Sequence, residues 1–143
     1  MAIKTKKILV PFDGSKNSIR GLDMAIHIAR QSHGTITALT VKAVPGLYTI
    51  SPMEFLDFNS MTKVKKILND AKIRAAKKGI QLTGKELDGD PGYDIAKFAN
   101  NKRNGIDLVV IGARGRSSIK EIFLGSVSNY VLHKSKKPVL IVK

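Results

Sequence analysis

Short and almost wholly apolar runs alternate with amphipathic segments along this chain, and this alternation limits the possible folds more than any other feature. Five runs have the length of a strand: Ile8–Phe12, Ile36–Val44, Ile80–Leu87, Ile106–Ile111 and Val139–Val142. The first, fourth and fifth runs contain almost no polar residue, which is typical of strands covered on both faces. The pattern therefore predicts a parallel sheet between two layers of helices.

Each apolar run is separated from the next by a segment with apolar residues at helical spacing. These segments are Ser18–Gln31, Met61–Lys78, Pro91–Arg103 and Gly125–Ser135. We predict Ser15 and Asp90 as N-caps, and Gly34, Gly79 and Gly105 as helix stops. The resulting β-α-β-α-β-α-β-α-β order predicts an α/β fold with a doubly wound parallel sheet. Ligands of such sheets bind at the carboxyl ends of the strands.

Length and composition set further bounds. The 143 residues predict one domain over residues 1–143, and the absence of cysteine excludes disulfides and thiolate metal sites. No apolar run approaches the ~18 residues of a membrane span, and the amino-terminal segment does not resemble a signal peptide. We therefore expect a cytoplasmic protein without a membrane span.

The net charge of +14 comes from 25 Lys and Arg residues against 11 Asp and Glu residues. The basic residues are spread along the chain and form no single block. The excess favours an anionic partner, and a generally solvated basic surface explains it equally well.

A glycine-rich segment follows the fourth apolar run. Gly112-Ala-Arg-Gly115 is followed after nine residues by Gly125-Ser126, at a predicted helix start. Glycines let backbone N–H groups approach an anion, and a helix N-terminus adds N–H donors and partial positive charge. Arg114 or Arg116 would supply full charge, and the Ser126 and Ser128 hydroxyls would supply hydrogen bonds. We predict a triphosphate site here, and a tight turn followed by an ordinary helix cap is the alternative.

This segment matches neither the Walker P-loop nor the Gly-x-Gly-x-x-Gly dinucleotide motif. A second candidate lies at the end of the first apolar run, in Val10-Pro-Phe-Asp13-Gly-Ser15. The first and fourth strands are neighbours at the switch point of a doubly wound sheet, so Asp13 could accept hydrogen bonds from a ribose there. Asp13 is also the nearby carboxylate that could reach Mg²⁺ through water. The alternative for Asp13 is a turn carboxylate that caps the helix beginning near Ser15.

Three segments together resemble the universal stress protein family, and specifically its ATP-binding branch. They are Gly112-x2-Gly115-x9-Gly125-Ser126, Val10-Pro-Phe-Asp13-Gly-Ser15 and Lys137-Pro-Val-Leu-Ile-Val142. The resemblance covers essentially the whole chain, as one universal stress protein domain. It implies an open five-stranded parallel sheet of order 3-2-1-4-5, similar to the adenine nucleotide alpha hydrolases. It also implies a homodimer joined through the last strand, Val139–Val142.

The same resemblance implies the position of an adenine nucleotide. Pro11, Phe12 and Asp13 would lie near the ribose and adenine, and the backbone of Val41 would lie against the adenine. The residues implied around the ribose and phosphates are Gly112, Gly115, Arg116, Gly125, Ser126, Val127 and Ser128.

These observations predict an ATP-binding regulatory protein of the stress response, with or without magnesium, that hydrolyses ATP slowly at most. We expect no catalytic residue, because no base is evident beside an attacking water. His27, His33 and His133 lack the spacing of metal ligands. Bound nucleotide is expected to order the long loop Ala43–Ser60 and the loop Gly112–Ser126, and so to change a surface that a partner reads.

Two other functions remain open. The segment Ile111–Ile122 superficially resembles the loop with which KH domains clamp an RNA backbone, and the basic charge favours this alternative. A KH domain, however, has a helix before that loop, where this chain has an apolar run typical of a strand. The second alternative is a flavodoxin-like or adenylate-forming enzyme, for which the sequence shows no substrate residues beyond the nucleotide site.

Overall fold

A computed structural model describes residues 4–43, 58–114 and 124–143. The strands are β1 (Lys7–Pro11), β2 (Thr35–Ala43), β3 (Leu82–Gly89), β4 (Leu108–Gly112) and β5 (Val139–Val142). The helices are α1 (Lys16–Ser32), α2 (Phe58–Ala76), α3 (Pro91–Asn100) and α4 (Ser126–Lys134), and a 3₁₀ turn spans Lys102–Asn104.

The five strands form one parallel sheet of order β3-β2-β1-β4-β5. This confirms the predicted fold class and strand order. β2 and β3 are added on one side of β1, whereas β4 and β5 are added on its other side. The switch point therefore lies between β1 and β4.

β1 shows why its sequence is almost wholly apolar. Ile8 and Val10 face the layer that α1 and α2 cover, whereas Leu9 faces the layer that α3 and α4 cover. All three side chains are fully buried. Successive strand residues point to opposite faces, so a strand covered on both sides needs an apolar residue at every position.

α1 begins as predicted but ends differently. The Ser15 Oγ accepts a hydrogen bond from the Ser18 N–H at 3.2 Å, which confirms Ser15 as the N-cap. At the other end the left-handed residue is His33, with φ of 54°, and not Gly34. A Cβ on Gly34 would lie 2.7 Å from the Lys6 carbonyl oxygen. Gly34 is therefore required by the close approach of the chain to the start of β1.

The end of α3 also differs from the prediction. Asp90 caps the helix as expected, but α3 ends at Asn100 and not at Arg103. The Asn101 side chain then accepts a hydrogen bond from the Arg103 N–H at 3.0 Å and caps the separate 3₁₀ turn. Asparagine side chains compete with helical backbone hydrogen bonds in this way. The helix propensities of the flanking residues do not reveal this break between α3 and the 3₁₀ turn.

The predicted loop Ala43–Ser60 is described only at its two ends. Ala43 is the last residue of β2, and residues 58–60 already belong to α2, so the helix begins earlier than predicted. Residues 44–57 lie outside the described residues. Among the helices that are described, none has the length and apolar character needed to cross a membrane.

Candidate functional site

A cavity of about 270 Å³ opens at the switch point, where β1 and β4 end. Its volume is near the lower end of small-molecule pockets, which begin at about 300 Å³. Every predicted site residue that the structure describes lines this cavity: Pro11, Phe12, Asp13, Val41, Gly112, Arg114, Gly125, Ser126, Val127 and Ser128. The remaining two, Gly115 and Arg116, lie outside the described residues.

The cavity also has lining residues that the sequence did not predict. They are Ser18, Leu39, Thr40, Pro91, Ile95 and Ile111. Three of them could have been found from the sequence, because they adjoin predicted site residues: Leu39 and Thr40 precede Val41, and Ile111 precedes Gly112. Pro91 and Ile95 come from α3, and their place at the cavity depends on how that helix packs. The four apolar residues among them add an apolar wall, whereas Ser18 and Thr40 are polar.

Two hydrogen bonds hold the end of β1 against β2. The Thr40 Oγ1 donates to the Phe12 carbonyl oxygen at 2.6 Å, and the Phe12 N–H donates to the Leu39 carbonyl oxygen at 2.9 Å. Thr40 and Phe12 are both buried. This pairing extends the contact between the strands beyond Pro11 and fixes the backbone that leads to Asp13.

Asp13 lies in a turn that also lines the cavity. Its Oδ1 accepts a hydrogen bond from the Ser15 N–H at 2.8 Å, and Gly14 between them has a positive φ of 79°. This geometry is the turn carboxylate considered above as an alternative. The two interpretations are compatible, because the carboxylate that supports the turn is also a wall of the cavity.

The opposite side of the cavity is built where β4 leads to α4. The Ser128 Oγ donates to the carbonyl oxygens of Ala113 and Gly125, at 2.8 and 3.0 Å, and the Gly125 N–H donates to Ala113 at 2.8 Å. Ser128 is buried and Ser126 is exposed. The Ser128 hydroxyl proton is therefore committed to the protein backbone, and Ser126 has the more accessible hydroxyl.

The first turn of α4 is suited to an anion. The N-cap is Gly125, and within the described part of the chain no side chain caps this helix. The first N–H groups of a helix have no carbonyl partner inside it, and the helix dipole adds partial positive charge. Gly125 through Ser128 line the cavity, so these donors lie at its edge. Arg114 is the one Lys or Arg among the described lining residues.

Packing within the protein requires glycine at only one of the two described motif positions. A Cβ on Gly112 would lie 2.7 Å from the Asn17 carbonyl oxygen, so glycine is needed for α1 to pack on β4. A Cβ on Gly125 would meet no atom closer than 3.6 Å, and Gly125 has φ of −61°, which any residue adopts. The protein's own packing does not require glycine at position 125.

A model of the universal stress protein family matches residues 4–143. The chain belongs to the universal stress protein family. One relative is universal stress protein YxiE of Bacillus subtilis (strain 168). It is 38% identical over an aligned length of 149 residues, and the match covers 96% of this chain and 98% of that protein.

Solved structures resemble this universal stress protein over nearly its whole length. The hypothetical protein MJ0577 of Methanocaldococcus jannaschii is 29% identical with a TM-score of 0.84, and the match covers 99% of this chain and 97% of that one. A universal stress protein solved in complex with cAMP is 28% identical with a TM-score of 0.74, and that match covers 96% and 97%.

The KH-like alternative does not agree with the observed fold of this universal stress protein. Residues Leu108–Gly112 form a strand inside a parallel sheet, in the position where a KH domain has a helix. The glycine loop of this chain therefore follows a strand, as in a doubly wound nucleotide-binding sheet.

Proposed function

We propose that this universal stress protein binds ATP in the cavity at the switch point and acts as a nucleotide-dependent regulator of the stress response. The observation that carries the proposal is that an apolar wall and an uncapped helix start line the same cavity. An adenine ring suits the wall beside Leu39, Val41 and Ile95, and a phosphate tail suits the first turn of α4. The relative solved with cAMP supports an adenine nucleotide as the ligand class.

In this proposal, each side of the cavity recognises a different part of the nucleotide: Asp13 accepts hydrogen bonds from the ribose, and Arg114 adds full positive charge beside the phosphates. A contact to a helix end contributes about 0.3–1 kcal/mol, whereas micromolar affinity needs about 8 kcal/mol. Several N–H donors, Arg114 and the burial of the adenine must therefore act together.

We propose binding with slow hydrolysis at most. Asp13 is the one Asp or Glu among the described lining residues, and its Oδ1 already accepts the Ser15 N–H. In the parts of the chain described here, no three His, Asp or Glu side chains gather as a metal site. A magnesium ion would therefore be held mainly by the phosphates.

We further propose that the protein is a homodimer joined through β5. This strand is the last in the sheet order and pairs with β4 on one side. Leu140 on β5 and Leu132 on α4 are large apolar side chains with 36% and 40% exposure. A strand edge with exposed backbone groups and apolar side chains is a template for a second chain.

The regulatory step remains a prediction, as do the single domain and the cytoplasmic location. The loops that we expect to respond to nucleotide fall largely in residues 44–57 and 115–123, outside the described ranges.

Titration calorimetry tests the proposed ligand. We expect MgATP to bind with micromolar affinity, AMP to bind more weakly because it lacks two phosphates, and MgGTP to bind poorly. Phosphate release from ATP should be far slower than the ~1 s⁻¹ of ordinary enzymes. A flat titration at millimolar MgATP, on protein whose circular dichroism shows the native fold, would contradict the proposal.

A further inference from the structure

The fold gathers along one edge of the sheet basic residues that are far apart in the sequence. Strands begin and helices end at the edge opposite the cavity. Lys6 and Lys7 lie at the start of β1, and Lys102 and Arg103 lie in the 3₁₀ turn before β4. Lys134 is the last residue of α4, and Lys136 lies between α4 and β5. We call these six residues the basic edge, and the side chains of all six are exposed.

Hydrogen bonds join the start of β1 to the 3₁₀ turn. The Lys7 Nζ donates to the Asn104 carbonyl oxygen at 3.0 Å. The Asp107 Oδ2 accepts the backbone N–H groups of Lys6 and Lys7, each at 3.0 Å. The first two parts of the basic edge are therefore in contact.

Asn100 joins the third part to the second. Its Nδ2 donates to the Lys134 carbonyl oxygen at 3.0 Å, and its Oδ1 accepts the Lys136 N–H at 2.7 Å. Asn100 is followed directly by Asn101, which caps the turn containing Lys102 and Arg103. The basic edge is thus one continuous strip across the starts of β1, β4 and β5.

Among the residues that the structure describes, the cations of this strip have no acidic partner. Over the described ranges, the ion pairs are those of Lys42 with Glu86 and Asp88, and of Arg74 with Asp23. The hydrogen bond from Lys42 to Glu86 raises the pKa of that lysine, which lies towards the cavity end of the sheet. Asp107 is the carboxylate next to the strip. In contrast to Glu86 and Asp88, it accepts two backbone N–H groups and forms no ion pair with a described lysine.

Part of the basic edge has a local structural use. The Lys6 Nζ donates to the Ser32 carbonyl oxygen at 2.6 Å, near the end of α1, and Lys7 does the same for Asn104. Basic residues also suit the carboxyl ends of helices. These roles do not account for Lys102, Arg103 and Lys136, whose side chains make no hydrogen bond or ion pair within the described structure.

We propose that the basic edge binds the phosphodiester backbone of double-stranded nucleic acid. Three neighbouring strands about 4.8 Å apart give a strip at least ~10 Å long. A duplex presents one negative charge per ~1.7 Å of its axis, which matches a row of cations better than a single small anion does.

The side chains around the strip favour a duplex over two other anionic partners. Single-stranded nucleic acid is usually bound by aromatic stacking as well as charge. Segments 4–7, 101–105 and 134–137 contain no aromatic residue. Amphipathic helices that bind membrane surfaces insert apolar side chains as well as using charge. The large exposed apolar residues of the described chain all lie outside these three segments.

Fluorescence anisotropy tests this proposal with a labelled duplex of about 20 base pairs and mixed sequence, in one DNA and one RNA form. We expect both forms to bind without sequence preference. The logarithm of the affinity should fall linearly with the logarithm of KCl concentration, with a slope of about −3 to −5. No binding of either duplex at about 50 mM KCl would overturn the proposal.

Two triple variants with the same change in net charge locate the surface. Lys102→Glu with Arg103→Glu and Lys136→Glu should weaken duplex binding at least tenfold and make the salt slope shallower. Lys63→Glu with Lys65→Glu and Lys66→Glu, on exposed positions of α2, should weaken it two- to threefold. Equal losses of duplex affinity in the two variants, or an unchanged affinity of the edge variant, would contradict duplex binding at the basic edge.

Two controls separate this result from other causes. Both variants should keep the wild-type thermal transition, and the edge variant should keep the wild-type response to MgATP, because the strip lies opposite the cavity. Failure of ATP binding in the wild type would leave the duplex result standing. Tighter binding to phosphatidylcholine vesicles with about 30% phosphatidylserine than to either duplex would overturn the choice of partner.

Discussion

Ser128 fastens the start of α4 to the end of β4, because its Oγ donates to the Ala113 carbonyl oxygen at 2.8 Å. The same hydroxyl lies 3.0 Å from the Gly125 carbonyl oxygen, so one buried side chain closes the turn from which α4 begins. The orientation of the α4 N–H donors towards the cavity thus depends on a residue at the third position of the helix.

Replacing Ser128 with alanine should therefore affect both stability and binding. We expect Ser128→Ala to lower the free energy of unfolding by about 1 kcal/mol, because it removes a buried hydrogen bond. ATP affinity should fall several-fold, because the start of α4 is no longer fastened. Urea denaturation and calorimetry measure the two effects. Ser126→Ala, at the exposed neighbouring hydroxyl, should leave stability unchanged, and equal stabilities of the two variants would refute this role.

The two described motif glycines should respond in opposite ways to alanine. Gly112→Ala places a Cβ 2.7 Å from the Asn17 carbonyl oxygen, so we expect a loss of about 1–3 kcal/mol in stability. Gly125→Ala meets no atom closer than 3.6 Å and should change stability by less than about 0.5 kcal/mol. Its added methyl group lies beside Arg114 and Ser128, and it should reduce ATP affinity at least tenfold.

Thermal unfolding together with ATP titration separates these two outcomes. A Gly125→Ala protein that binds ATP as tightly as the wild type would show that the start of α4 does not hold the phosphates. A Gly112→Ala protein of wild-type stability would show that the contact with Asn17 relaxes freely.

The proposed dimer can be tested at Leu140. We expect Leu140→Asp to give a monomer where the wild type is a dimer, because it places a charge on the apolar strand edge. Light scattering coupled to gel filtration measures the mass. Ile73→Asp is the matched control, because Ile73 is 47% exposed on α2, away from β5, and should leave the dimer intact. A monomeric wild type would refute the proposal directly.

The elements that the sequence predicted well are those governed by local pattern. The apolar runs at Ile8 and Val139 mark β1 and β5, and Ser15 and Asp90 cap their helices as expected. Side-chain period and capping chemistry act over a few residues, so they can be read without knowing the fold. For the same reason, the strand ends that carry Asp13 and Gly112 were recognised as candidates for the site.

The errors arose where a distant part of the chain sets the requirement. Gly34 was predicted as a helix stop, but its need for glycine comes from the Lys6 carbonyl oxygen. The hydroxyl of Ser128 donates to the distant Ala113 carbonyl oxygen, a contact that no local pattern indicates, and its predicted contact with phosphate stays a prediction. Ile95 of α3 belongs to the core and also lines the cavity, and this second role depends on how that helix packs.

By itself the sequence determined the alternation of strands and helices, and with it the position of a cavity at the strand ends, because burial on both faces and helix capping are local requirements. The tertiary structure alone decided which of two motif glycines serves packing and which of many scattered cations become neighbours. Those outcomes depend on distances between residues such as Lys7 and Asn104, which are brought together only when the sheet assembles.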